Sequence, residues 1–116
     1  MNKAIKNSVQ LIGFLGSDPE VRTFGENKKM ARVSIATRDI YKNKLGEWHT
    51  ETQWHNLIFW GKKAIEAEKA LVKGLEIAVM GRLVNRSYMD KEGVTRFVSE
   101  VVVGEMEIIV KESKAS

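Results

Sequence analysis

The chain has 116 residues, enough for one domain with a modest core that needs no covalent staples. It contains no cysteine, which excludes disulfides, thiolate zinc sites and cysteine nucleophiles and suits a reducing compartment. Lys and Arg number 19 against 15 Asp and Glu, a formal charge of +4 that suits an anionic partner without demanding one.

The N-terminus, "MNKAIKNSVQ", lacks the apolar stretch of a signal peptide. No uncharged apolar run approaches bilayer length, so a cytoplasmic protein without membrane contact is expected. "SVQLIGFLG" (8–16) then reads as an apolar strand closed by glycine. "DPEVRTFGENKK" (18–29) carries the only proline and reads as a loop. "MARVSIATRDIY" (30–41) alternates, with Ala31, Val33 and Ile35 against Arg32, Ser34 and Arg38. "NKLGEWHT" (43–50) is a hairpin turn, and a third strand follows over 50–61.

In that third strand the odd set His55, Leu57 and Phe59 suits a core. The even set Trp54, Asn56, Ile58 and Trp60 must then face the other way. "KKAIEAEKALVKG" (62–74) is the one helix, with Ala64, Ala67 and Leu71 on one face and Gly74 as its stop. "LEIAVMGRLV" (75–84) is a strand, "NRSYMDKEGVTR" (85–96) a hairpin turning at "DKEG", and "FVSEVVVGEMEIIV" (97–110) a last strand kinked near Gly104. The segment "KESKAS" (111–116) is expected to be a short disordered tail after a single domain over 1–110.

Three strands, a helix and two strands leave a flat sheet with uncovered edges, which curling into a barrel removes. The expectation is an all-β, five-stranded Greek-key OB-fold barrel with one helix between strands 3 and 4. Another small barrel or an α+β sheet remains the alternative.

Catalytic chemistry is poorly supplied. His49 and His55 stand six apart with no carboxylate at a metal-ligand spacing, and "FWGKKA" lacks the glycines and the Ser or Thr of a phosphate loop. No catalytic residue, metal or cofactor is expected, although some OB barrels are nucleases. The aromatics are more informative. Trp54 and Trp60 share a parity, Tyr41 ends the second strand among Arg38, Lys42 and Lys44, and Tyr88 lies in the 85–96 hairpin with Arg86 and Arg96. Lys62 and Lys63 follow Trp60. Rings offer faces to unpaired bases while the cations meet phosphates, the combination that binds single strands. Each residue also has an ordinary explanation: a strand tryptophan is commonly packing, Trp48 can cap its hairpin, and Asp90 and Glu92 can balance Arg86, Lys91 and Arg96.

"NSVQLIGFLGSDPEVR", "VSIAT", "WHNLIFWGK", "GRL" and "TRFVSEVVVGEM" together resemble the bacterial single-stranded DNA-binding protein family, over residues from about 7 to 109. The resemblance implies an OB fold and sequence-tolerant binding of single-stranded DNA in replication, recombination and repair. It also implies no catalysis, a cytoplasmic, nucleoid-associated protein, and a homotetramer, with a dimer possible. Tyr41, Trp54, Trp60 and Tyr88 fall on the family's stacking positions, and Lys62, Lys73, Arg86 and Arg96 on positions usually basic. His55 matches a histidine of the subunit interface. Asn56 and Ser8 stand where arginine and lysine are common, which implies a shallower salt dependence than in relatives carrying those residues. The sequence ends without the acidic tip that recruits partners in many members, so no tail-mediated partner is expected. A tail-less primosomal accessory protein acting through protein partners is the alternative.

Overall fold

The computed structural model describes residues 7–26 and 28–110. Its elements in chain order are β1 (Val9–Leu15), β2 (Glu20–Phe24), β3 (Lys28–Lys42), β4 (Trp48–Trp60), α1 (Lys62–Ala70), β5 (Glu76–Met89) and β6 (Thr95–Ile108). The strands lie in the order β1-β5-β6-β4-β3-β2. Strand β1 also pairs with β3, at Phe14↔Ala36 and Leu15↔Ile35, and this contact closes β1, β3, β4, β5 and β6 into a five-stranded barrel. All pairings are antiparallel except β4 with β6, which run parallel at Asn56–Ile58 and Glu100–Val102.

The expected five-stranded OB barrel is present, but the helix does not lie between strands 3 and 4. It lies between β4 and β5. The count shifts because Glu20–Phe24, within the segment read as a loop, is a strand hydrogen-bonded to the first half of β3. Only Val21 of its five residues is even partly buried, so β2 is held by backbone pairing and leaves no hydrophobic alternation to read.

Alternate residues of each barrel strand converge on one core. Val33 and Ile35 of β3, Leu57 and Phe59 of β4, Ile77 and Val79 of β5, and Val101 and Val103 of β6 are all buried. Helix α1 adds Ala64 and Ala67. The helix ends at Ala70, four residues before Gly74, because Leu71 turns extended (φ −97°, ψ 138°) and enters the core. Its N–H still donates to the Ala67 carbonyl. Gly74 serves the following turn instead, at φ +90°, with its N–H donating to the Leu15 carbonyl. The kink expected near Gly104 is a bulge. Pairing jumps from Gly81↔Val103 to Met80↔Glu105, and Met106 and Ile108 then take over the inward positions.

The tail expected over 111–116 lies outside the described residues. Among the described residues no helix is long and apolar enough to cross a membrane.

Barrel closure depends on Gly13. A Cβ there would stand 2.0 Å from the Ala36 carbonyl oxygen, which is backbone and has no rotamer to yield. Gly13→Ala is therefore expected to destabilise the fold by about 3 kcal/mol, the upper end for overpacking. Denaturant unfolding measures this, with a midpoint well below that of the parent.

Candidate nucleic-acid interface

Strand β4 divides as its alternation requires. Leu57 and Phe59 are fully enclosed and His55 is half-buried at the barrel's margin, while Trp54 and Trp60 remain 62% and 46% exposed on the opposite face. The Trp54 indole rests on the turn after β1, where a Cβ on Gly16 would come within 2.4 Å of its Cζ3 atom. Trp60 meets the Phe24 ring at 6.2 Å between centroids, tilted by 39°. Phe24 comes from β2, so the strand missing from the sequence expectation supplies an aromatic neighbour to this face.

The outer face continues across β6 and β5. Asn56 lies beside Glu100, and Ile58 beside Val102. Glu100 faces Val84, Val98 faces Arg86, and Arg96 faces Tyr88. Two contiguous hollows follow. One, of about 360 Å³, lies among Phe24, Ile58, Trp60 and Val102, and the other, of about 510 Å³, among Asn56, Tyr88 and Val98. Arg32 and Arg86 line both. The result is a groove with the Phe24–Trp60 pair at one end and Tyr88, 48% exposed, at the other.

Two of the expected phosphate cations are engaged by carboxylates. Arg86 donates from Nε to Glu100 Oε1 at 2.8 Å and from Nη2 to Oε2 at 3.2 Å. Glu100 is only 5% exposed, and its carboxylate raises the Arg86 pKa further above its ordinary value, by hydrogen bonding first and charge second. Arg96 donates from Nε to Asp90 Oδ2 at 2.9 Å. Asp90 Oδ1 also accepts the N–H groups of Glu92 and Val94, so its carboxyl titrates below the ordinary range, chiefly through the Val94 N–H and next through Arg96. Of the balances considered from sequence, Asp90 with Arg96 is present. Arg86 is balanced by Glu100, 14 residues away across the hairpin, and not by Glu92.

The β3–β4 arm carries the remaining group. By alternation Arg38, Lys42, Trp48 and Trp54 lie on one surface of the arm. Tyr41, 47% exposed, has the opposite parity and stacks on His49 at 5.6 Å. Tyr41 is thus on the arm but not on the side of Trp54. Trp48 belongs to β4, not to the turn, and Lys42 Nζ stands 5.6 Å from its ring centroid. Trp48, Trp54 and Trp60 recur every six residues, which places three indoles on one face at intervals of about 20 Å. That even spacing was the available signal for Trp48. Lys44 is exposed in the hairpin turn, and Lys62 opens α1 directly after Trp60 and Gly61. Lys73 lies in the turn after α1, outside this strand face, with its N–H donating to Asp18 Oδ1. His55 shares a 3.0 Å hydrogen bond through Nε2 with Thr37 Oγ1. Among the described residues no group of three or more His, Asp or Glu is placed to hold a metal ion.

Comparison with known proteins agrees with this architecture. The sequence model of the Single-strand binding protein family matches residues 6–109. The "Single-stranded DNA-binding protein 1" of Xylella fastidiosa (strain 9a5c) is 39% identical over 106 residues, covering 90% of this chain and 78% of that relative. The Plasmodium falciparum SSB solved in complex with ssDNA has a TM-score of 0.84 and covers 95% of this chain and 100% of that one, with 22% identity, a likeness of fold. An OB barrel closed by β1 on β3, a tryptophan-bearing outer face and a family match over nearly the whole chain lead to one assignment: this chain belongs to the single-strand binding protein family.

Proposed function

We propose that this chain binds and coats single-stranded DNA without sequence preference, during replication, recombination and repair. The observation that carries the proposal is the placement of Trp54, Trp60 and Tyr88, each about half exposed, on one outer face that also holds arginines. An exposed aromatic ring leaves apolar surface in water that a ligand can cover. An unpaired base does so, and base stacking contributes about 1–3 kcal/mol per base whatever the sequence. Duplex DNA offers no free base faces, so the same surface discriminates against it.

Roles follow from position. Trp60 and Tyr88 stack bases in the groove, Trp54 does so on the same face beyond it, and Tyr41 does so from the far side of the arm, where a strand wrapping the arm reaches it. Arg38, Lys42, Lys44 and Lys62 are exposed and supply further phosphate contacts. Arg86 and Arg96 contribute less than their number suggests, because Glu100 and Asp90 already neutralise them. Lys73 joins only if the strand continues past α1. Residues 1–110 form the binding domain, and the place of action is the cytoplasm, at the nucleoid.

The assembly proposed is a homotetramer. A hollow of about 560 Å³ lies across β1, β5 and β6 between Gln10, Ile12, Met80 and Glu105, with Ile12 largely exposed. Strand β1 pairs with β5 on one side and reaches β3 only at Phe14 and Leu15, so the other edge of Val9–Gly13 is open to a second copy. His55, at the barrel's margin, is the histidine assigned to the interface.

Four outcomes are expected. In a tryptophan-fluorescence titration, oligo(dT) quenches strongly and a matched duplex weakly; Trp54→Ala and Trp60→Ala each lose about ten- to a hundredfold in affinity with an unchanged unfolding midpoint. Asp90→Asn keeps an oxygen for Glu92 and Val94 but releases Arg96 and removes a negative charge, so oligo(dT) affinity rises and its salt dependence steepens. The depressed Asp90 pKa also means that its support of the hairpin is complete above the ordinary carboxylate pKa and fades as pH falls through the lowered value, which amide exchange at Glu92 and Val94 reports. Mass photometry or light scattering gives four copies; two copies would favour the dimeric accessory role instead.

A further inference from the structure

Arg32 differs from every other arginine on the groove face. Its Nε is buried and has no hydrogen-bond partner, and among the described residues no carboxylate lies within ion-pair distance of it. The acids nearest in register are already engaged. Glu20 faces Arg32 across β2–β3 but its carboxylate holds Arg22 at 3.0 Å. Glu100, which shares the first hollow with Arg32, is paired through both oxygens with Arg86. The Arg32 guanidinium thus carries a buried donor that nothing among the described residues satisfies.

An orphaned donor of this kind is costly and calls for an acceptor that the chain itself does not provide. The position indicates which acceptor. Arg32 lines both hollows, on the floor between the Phe24–Trp60 pair and Tyr88. A phosphodiester presents two oxygens that match the guanidinium fork, and carries the charge that Arg32 lacks a partner for. A carboxylate ligand would offer similar oxygens, but bases beside a phosphodiester would also cover the rings at both ends.

We propose that Arg32 is the principal phosphate-binding cation of the groove, holding the backbone of a strand whose bases stack on Trp60 and Tyr88. The proposal rests on the single-strand reading above and adds a residue that the sequence pattern assigned only to the polar side of an alternating strand.

The test compares the full chain with Arg32→Met, which keeps the aliphatic stem, Arg32→Lys, which keeps the charge, and Lys69→Met, which removes an equal charge from α1. Each is titrated with oligo(dT) at several salt concentrations. Arg32→Met is expected to bind about tenfold more weakly, with the log–log salt slope smaller by about 0.7, one phosphate contact on a single strand. Its tryptophan quench at saturation stays that of the parent. Arg32→Lys keeps the slope with a smaller loss of affinity, and Lys69→Met changes neither quantity. If Arg32→Met does not fold, Arg32→Gln gives the same comparison of slopes. A parental slope in the folded neutral variant overturns the assignment of Arg32 while leaving the single-strand reading intact. Absence of any quench in the parent overturns that reading, and Arg32 with it.

Discussion

The alternation of side chains along β4, in a barrel closed by β1 on β3, is the constraint from which the rest follows. Closure at Phe14↔Ala36 and Leu15↔Ile35 commits one face of every barrel strand to the interior. Leu57 and Phe59 then fill the core and Trp54 and Trp60 are carried outward two residues at a time. A tryptophan at an even position of this strand has no route into the core without a slip in register that would expose Leu57 and Phe59. On the proposed reading, stability and DNA binding therefore use opposite faces of one strand. Substitutions at the indoles are separable from folding, whereas Gly13 and Gly81 are not, since a Cβ on either would strike backbone atoms.

Charge on the outer face is organised by pairing more than by number. Arg22, Arg86 and Arg96 each have a carboxylate partner. The exposed pairs among them contribute little to stability. The Arg86–Glu100 pair differs, because Glu100 is buried and its loss of partner would leave a charge stranded in the groove. Arg86 therefore serves first as the counter-ion that lets Glu100 sit there, and of the two arginines that line both hollows Arg32 is the one without a carboxylate among the described residues. Asn56, beside Arg32 on the groove wall, stands where the resemblance led one to expect arginine. In the proposed role, Arg32 makes up part of that deficit from the neighbouring strand.

The barrel strands and their faces were legible because their burial is periodic. Val33–Ile35 and Leu57–Phe59 alternate with polar or aromatic partners, and α1 shows Ala64, Ala67 and Leu71 at helical spacing. Strand β2 was not legible, and with it the position of the helix in the strand count, because backbone pairing alone leaves no trace in side-chain pattern. The end of α1 was misplaced because Gly74 is a good stop signal, yet Leu71 gains more by leaving the helix for the core. The aromatic positions were readable, but the side of the arm from which Tyr41 projects depends on counting parity through a strand of 15 residues. The pairing of Arg86 with Glu100, and the lack of a carboxylate for Arg32 among the described residues, were beyond reach, since they depend on which strands the barrel brings side by side.

The most direct measurement of the central claim is the indole N–H region of a ¹H–¹⁵N spectrum as oligo(dT) is added to the labelled protein. The chain has three tryptophans, and all three lie on one face of β4, so three resolved signals report on that face. The account predicts that the Trp54 and Trp60 signals move or broaden together, while the backbone amides of Leu57 and Phe59 in the same strand change little. Indole signals that stay in place while shifts gather on β1 and α1 would contradict it.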